Sequence, residues 1–168
     1  KLKVRTPMLN QIRTTPWGAL IAGAAGLIVF FSFALAIAVG SPTIAVNAYL
    51  QLIHFSALVL SFVGAIHWGL AISAQERGIA VPVWWYQASA LPMTLGWLTL
   101  VLVSPTAKIL LLSLGFLIAF MLDVSVTARH IAPLWHKNFR KFMTISVLIA
   151  LAIALWAVRM PIADDPLP

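Results

Sequence analysis

Asp123 is the one acidic residue that falls inside a long apolar run; the other three of the chain's four Asp/Glu, Glu76, Asp164 and Asp165, lie at run ends or in the tail. A carboxylate in hydrocarbon is costly unless paired, protonated or wetted, so Asp123 demands a partner. Four histidines supply the remaining acid/base chemistry: His54 and His67 thirteen apart in one apolar run, and His130 and His136 flanking Pro133. Imidazole and carboxylate at one membrane depth can share or shuttle a proton. The chain has no cysteine, which removes thiolate metal sites, disulfides and lipidation at Cys.

The elements that must position these residues are membrane helices. Of 168 residues, 62% are hydrophobic and 9% charged, whereas soluble domains run to about half apolar and a quarter charged. Too few polar residues remain to cover a water-soluble surface, so lipid is the solvent. The net charge of +7 sits at the ends of apolar runs and not along a solvated stripe interleaved with aromatics, which argues for a membrane and against nucleic acid.

Crossing a bilayer takes about twenty helical residues, and five stretches qualify: about Trp17 to Val39, Ile44 to Ala74, Trp84 to Val103, Thr106 to His130 and Phe139 to Val158. Thr15 and Pro16 open the first, and Gly40-Ser41-Pro42 closes it. Pro92 predicts a kink in the third. The second is long enough to tilt or to extend past the membrane. Lys1, Lys3, Arg5, Arg13, Arg77, Arg129, Lys137, Arg140 and Lys141 fall on one side, and Lys108 and Arg159 on the other. That asymmetry predicts an N-inside, C-outside topology. Trp17, Trp84, Trp85, Tyr86 and Trp135 at inner boundaries and Trp156 near an outer one match an aromatic belt. Residues 1–13, basic and interleaved with Leu2, Val4, Met8, Leu9 and Ile12, suit the inner membrane surface. The sequence begins at Lys1 rather than Met, which leaves room for upstream residues, a short basic leader included. The expected architecture is one all-α integral membrane domain of about five transmembrane helices.

The second helix carries most of the information. At about 100° per residue, Asn47, Gln51, His54, Ser61, Ala65 and Gly69 share one narrow face. His67 lies roughly 200° around from Asn47. Polar and small residues of this kind pack and bond helices together, or mark a polar pocket or relay. Both sides are expected to meet protein, which makes helix two the centre of the bundle. Counted inward from the inner boundary, His67 and Asp123 both lie on the order of 10 Å deep. Three outcomes fit: a His67–Asp123 hydrogen bond stapling helices two and four, Asp123 snorkelling towards Arg129, or a proton-handling or ligand site. Haem is not expected, since neither His54 nor His67 has a second imidazole at its depth on a facing helix, and His130 and His136 read as interfacial residues and not as metal ligands. Gly18, Ala22 and Gly26, four apart, form a packing stripe on helix one.

The run Tyr49 to Ala71, with Ser61-Phe62-Val63-Gly64-Ala65-Ile66-His67-Trp68-Gly69 at its core, resembles the signature of the transmembrane protein 69-like family, small membrane proteins of unknown function from proteobacteria and mitochondria. A second patch, Ala132 to Arg140, looks like that family's Pro-x-Trp-Tyr-x-x-x-Arg element, with His136 where the pattern has an aromatic. The resemblance implies a five-helix protein of a bacterial inner membrane, or alternatively the mitochondrial one, and singles out His67, Trp68, Gly69 and Arg140 without naming a reaction. No phosphate loop, metalloprotease helix, nucleophile elbow or intramembrane carboxylate pair is present in the sequence. The chain therefore reads as non-enzymatic: a structural or accessory subunit docking through helix faces onto a larger respiratory or photosynthetic membrane complex. A small module holding a quinone, a lipid or a proton is the alternative, and five helices without an internal repeat are few for a transporter.

Overall fold

Proline and glycine punctuate the chain into helices, and the computed structural model describes residues 15–159. The basic segment 1–13 and the tail with Asp164 and Asp165 lie outside the described residues. Helix α1, Trp17–Val39, starts on Pro16, whose carbonyl accepts from Ala19 and Leu20 N–H. It ends where the Gly40 N–H bonds Ala36 O. A Cβ at residue 40 would run into that carbonyl, so glycine lets the chain turn directly into α2, Pro42–Glu76.

The third expected crossing is two helices, α3 Trp84–Ala88 and α4 Leu91–Val101. Pro92 has no N–H to give a carbonyl four residues back, and its ring crowds that carbonyl. The Ser89 hydroxyl meanwhile donates to Tyr86 O at 2.6 Å. The break thus falls upstream of the proline, at Ser89 and Ala90, rather than as a kink at Pro92. At ~1.5 Å per residue α4 is about 16 Å long, half the hydrocarbon thickness. Helix α5, Pro105–Ala128, is capped by the Ser104 hydroxyl, which accepts from Ala107 N–H at 3.4 Å. It stops at His130, whose φ of 58° reverses the chain into α6, Leu134–Arg159. That last helix begins five residues before the expected Phe139, because Pro133 presets its first turn, and this takes His136 and Lys137 out of the loop. Among the described residues four helices, α1, α2, α5 and α6, are long and apolar enough to cross a membrane.

The helices pack in a ring, α1–α2–α4–α5–α6 and back to α1, with α2 and α5 touching across the middle and α3 set on the end of α2. Helix two is central, as expected. Phe30, Leu52, Leu60, Phe116, Ala150 and Leu151 belong to the main core, where Phe30 meets Phe55 and Phe116 edge-on at centroid distances of 5.2 and 6.0 Å. A smaller core, Ala71, Ala74, Trp85, Val126, Ile131 and Ala132, closes the Arg77 end of the bundle. Outward faces are apolar as well: Ile28, Leu58, Phe62, Leu110, Met121 and Ile149 are exposed. Burying apolar groups inside while showing apolar groups outside suits lipid as the solvent.

Small residues set the closest approaches. A Cβ on Gly64 would come within 2.6 Å of Ser89 O, and one on Gly96 within 3.0 Å of Ala57 O. Glycine at both places lets the α2 and α4 backbones meet.

Candidate functional site

Asp123 is fully buried on α5, and its partners come from the two neighbouring long helices. His67, also 0% exposed, reaches in from α2 and places Nε2 3.1 Å from Asp123 Oδ1. Arg140 of α6 donates Nε–H to Oδ2 at 2.8 Å. His136, one turn before Arg140, has Nδ1 3.8 Å from the same Oδ1. The cluster ties α2, α5 and α6 together at one level. Its level follows from the helix rise: Tyr49 OH donates to Pro105 O at 3.3 Å, and His67 and Asp123 are each eighteen residues further along, about 27 Å away. The charges therefore sit at the Arg77 end of the bundle, nearly one hydrocarbon thickness from the other.

Each side chain is aimed by its helix. His67 Nδ1 donates to Val63 O, one turn back, at 2.9 Å, which fixes the ring. The Thr127 hydroxyl bonds Asp123 O at 2.9 Å in the same manner. On α6 the buried stripe His136, Arg140, Thr144 repeats every fourth residue, so these three share one face. Trp85 of α3, buried in the smaller core, lies with its ring 6.4 Å from His67 and roofs the cluster.

The cluster is under-satisfied. Among the described residues the buried side-chain polar atoms without a hydrogen-bond partner are His67 Nε2, Asp123 Oδ1, His136 Nδ1, Arg140 Nη2, Thr144 Oγ1 and Trp85 Nε1. All belong to this cluster or adjoin it. Losing one member of a buried ion pair costs roughly 3–5 kcal/mol, so the arrangement persists only as a whole. Beside it, a cleft of ≈ 540 Å³ lined by Leu70, Ser73, Arg77, Thr127, His130 and Pro133 opens at the Arg77 end. Arg77 is tethered there by Nε to Ser73 O at 3.1 Å and Nη2 to Ile131 O at 2.8 Å.

The other face of α2 differs from expectation. Asn47, Gln51 and His54 were expected to meet protein, yet all three are exposed, as are Ala65, Trp68 and Gly69. Asn47 Nδ2 bonds only Thr43 O of its own helix, at 3.0 Å. The physical reason is their level: Tyr49 marks that end of the bundle, so Asn47, Gln51 and His54 lie within about 8 Å of it, where polar tips reach headgroups and water. Trp68 packs edge-on against Tyr86, 5.2 Å between centroids. Asp123 does not turn to Arg129, whose guanidinium instead stands 5.9 Å over the Trp84 ring. His136, expected at the interface, is buried because α6 starts early. Sequence reasoning missed it as a cluster member, although its four-residue spacing to Arg140 was a usable signal. His130 is exposed, as an interfacial residue.

Comparison with known proteins agrees with the chain's organisation. Residues 15–156 match the profile of a family described as protein of unknown function (DUF3429). Transmembrane protein 69 of Xenopus tropicalis is 30% identical over 151 residues, covering 88% of this chain and 57% of the frog protein. The chain thus spans a little over half the length of that relative. No solved structure matches.

Proposed function

The chain belongs to the DUF3429 family, it is a multi-pass membrane protein, and from that premise we propose that it serves as a structural or accessory subunit docking by its helix faces onto a larger membrane complex. The reading extends to a respiratory or photosynthetic complex, in a bacterial inner membrane or alternatively the mitochondrial one, and to a role without catalysis of its own. One observation carries it. The small-residue stripe of α1 is not spent inside the bundle: a Cβ at Gly18 or Gly26 would meet nothing within 4 Å, whereas one at Gly23, on the inward side, would meet Phe139 and Met143. Small residues at four-residue spacing earn their place in a membrane by letting another helix come close, and this chain leaves that place vacant. Extraction from native membranes in mild detergent is expected to bring the protein out with stoichiometric partners. A monomer in every detergent and at every concentration would sink the docking reading.

A second reading, a small module that binds a quinone or a lipid or relays protons, is favoured by one detail of the cluster. Asp123 Oδ1 is flanked by two imidazole nitrogens, at 3.1 and 3.8 Å, so a proton has two seats beside one carboxylate. Reconstitution with isotopically labelled quinone or lipid, and with a trapped pH dye, tests its three arms. No retained ligand together with no titration of the cluster would dispose of it.

A further inference from the structure

The hydrogen-bond geometry of His67 specifies a proton. Its Nδ1 faces the Val63 carbonyl, which is only an acceptor, at 2.9 Å, so Nδ1 carries a hydrogen. A neutral ring then presents a lone pair at Nε2, 3.1 Å from Asp123 Oδ1. With both side chains 0% exposed and neither atom in hydrogen-bond geometry with any partner, the other included, an unprotonated Nε2 beside an ionised Oδ1 would repel with no solvent to screen them. The contact turns attractive when the pair takes up a proton.

We propose that His67 and Asp123 form a proton-binding site loaded from the Arg77 end through His136 and closed towards the Tyr49 end. It rests on the proton-handling arm of the second reading above. His136 is the loader because its Nδ1 addresses the same Oδ1, has no other partner and stands 3.8 Å away, too far for a standing hydrogen bond but within a small ring movement of one. Its side chain is 8% exposed, unlike the sealed pair. The ≈ 540 Å³ cleft reaches Thr127, one turn from Asp123, and Leu134, two residues from His136, and so brings water close. In the loading step a protonated His136 gives its Nδ1 proton to Oδ1. The N–H bond breaks, the O–H bond forms, and the new O–H lies on His67 Nε2, which shares or takes the proton. The neutral His136 is reprotonated from water in the cleft.

Towards the Tyr49 end the unpaired Thr144 hydroxyl lies one turn beyond Arg140, and past it the route stops, since α6 buries only Val147, Ala150, Leu151 and Ala154. Ser56, Ser61 and Thr99 each donate to a carbonyl one turn back on their own helix, at 2.6, 3.0 and 2.9 Å. Leu60, Val63, Phe116 and Ala119 are buried members of the apolar core on the same helices. The titratable or charged groups facing the pair are His136 and Arg140 from α6; Arg140 holds Oδ2. α1 and α4 contain no titratable residue, and α3 presents Trp85.

The test uses the full chain with 15N-labelled histidine, reconstituted in one orientation in vesicles whose inner and outer pH are set independently. The His67 ring signals are expected to titrate with the pH on the Arg77 side alone, with no steady proton flux. His136→Gln is expected to slow that response on the order of a hundredfold, the scale of a lost acid/base group, while the fully loaded signal stays the same. Because Asp123→Asn strips Arg140 of its partner and endangers folding, His136→Gln decides the loading route. A response to the Tyr49 side, or an unchanged rate in His136→Gln, overturns the proposal. Steady flux overturns the closed site while leaving a relay standing. A His67 ring that keeps one protonation state at every pH on either side removes both the site and the proton arm of the second reading.

Discussion

Arg140 shows how one side chain changes meaning between a one-dimensional and a three-dimensional view. Among the charges that the sequence predicts for the inner side it is one of nine, yet the residue is 9% exposed and its guanidinium bonds the only buried carboxylate among the described residues. Arg140→Leu should therefore act quite unlike a surface change. It leaves Asp123 short of a counter-charge and is expected to cost about 3–5 kcal/mol, read as a large loss of folded protein in detergent melting. Arg140→Leu combined with Asp123→Leu removes both charges and is expected to recover most of that loss, since a hydrophobic replacement for a buried pair is often neutral. Equal melting of the single and double variants would mean that the two groups are not coupled.

Elements carry the next level of specificity, and glycine tests it sharply because two glycines of α2 lie five residues apart in opposite surroundings. Gly64 touches the backbone at the α3–α4 break, where Ser89 O lies 2.6 Å from the place a Cβ would take, whereas Gly69 meets nothing within 4 Å. Gly64→Val should force α2 and α4 apart at a cost of about 1–3 kcal/mol, as overpacking does. Gly69→Ala should be neutral or slightly stabilising, by up to about 1 kcal/mol of helix propensity. Thermal melting of the two variants side by side checks both. The break itself was only half legible. Pro92 announces an interruption, but where it falls depends on Ser89 turning its hydroxyl to Tyr86 O and on Gly64 admitting that backbone.

At the scale of the whole molecule, the outward stripe of α1 predicts a separation of stability from assembly. Gly26→Leu fills space that this chain leaves open, so the isolated protein should melt within about 0.5 kcal/mol of the parent. Co-extraction with partners should fall. Unaltered co-extraction would move the docking surface elsewhere.

Composition and the hydropathy pattern along the chain determined that lipid is the solvent, that the domain is all-helical and where most helices run, because transfer into hydrocarbon is a local property of each twenty-residue stretch. They also singled out Asp123 and His67, since an ionisable group in an apolar run is conspicuous wherever it lies. Tertiary structure alone decided who answers Asp123. Arg140 and His136 come from a helix whose start depends on Pro133, and their meeting with His67 depends on α2 and α5 touching across a ring of helices. It also decided which polar face of α2 stays uncovered: Asn47, Gln51 and His54 face outward while His67 is sealed. Periodicity reveals that a helix has two polar sides, but only the packing of its neighbours determines which side they cover.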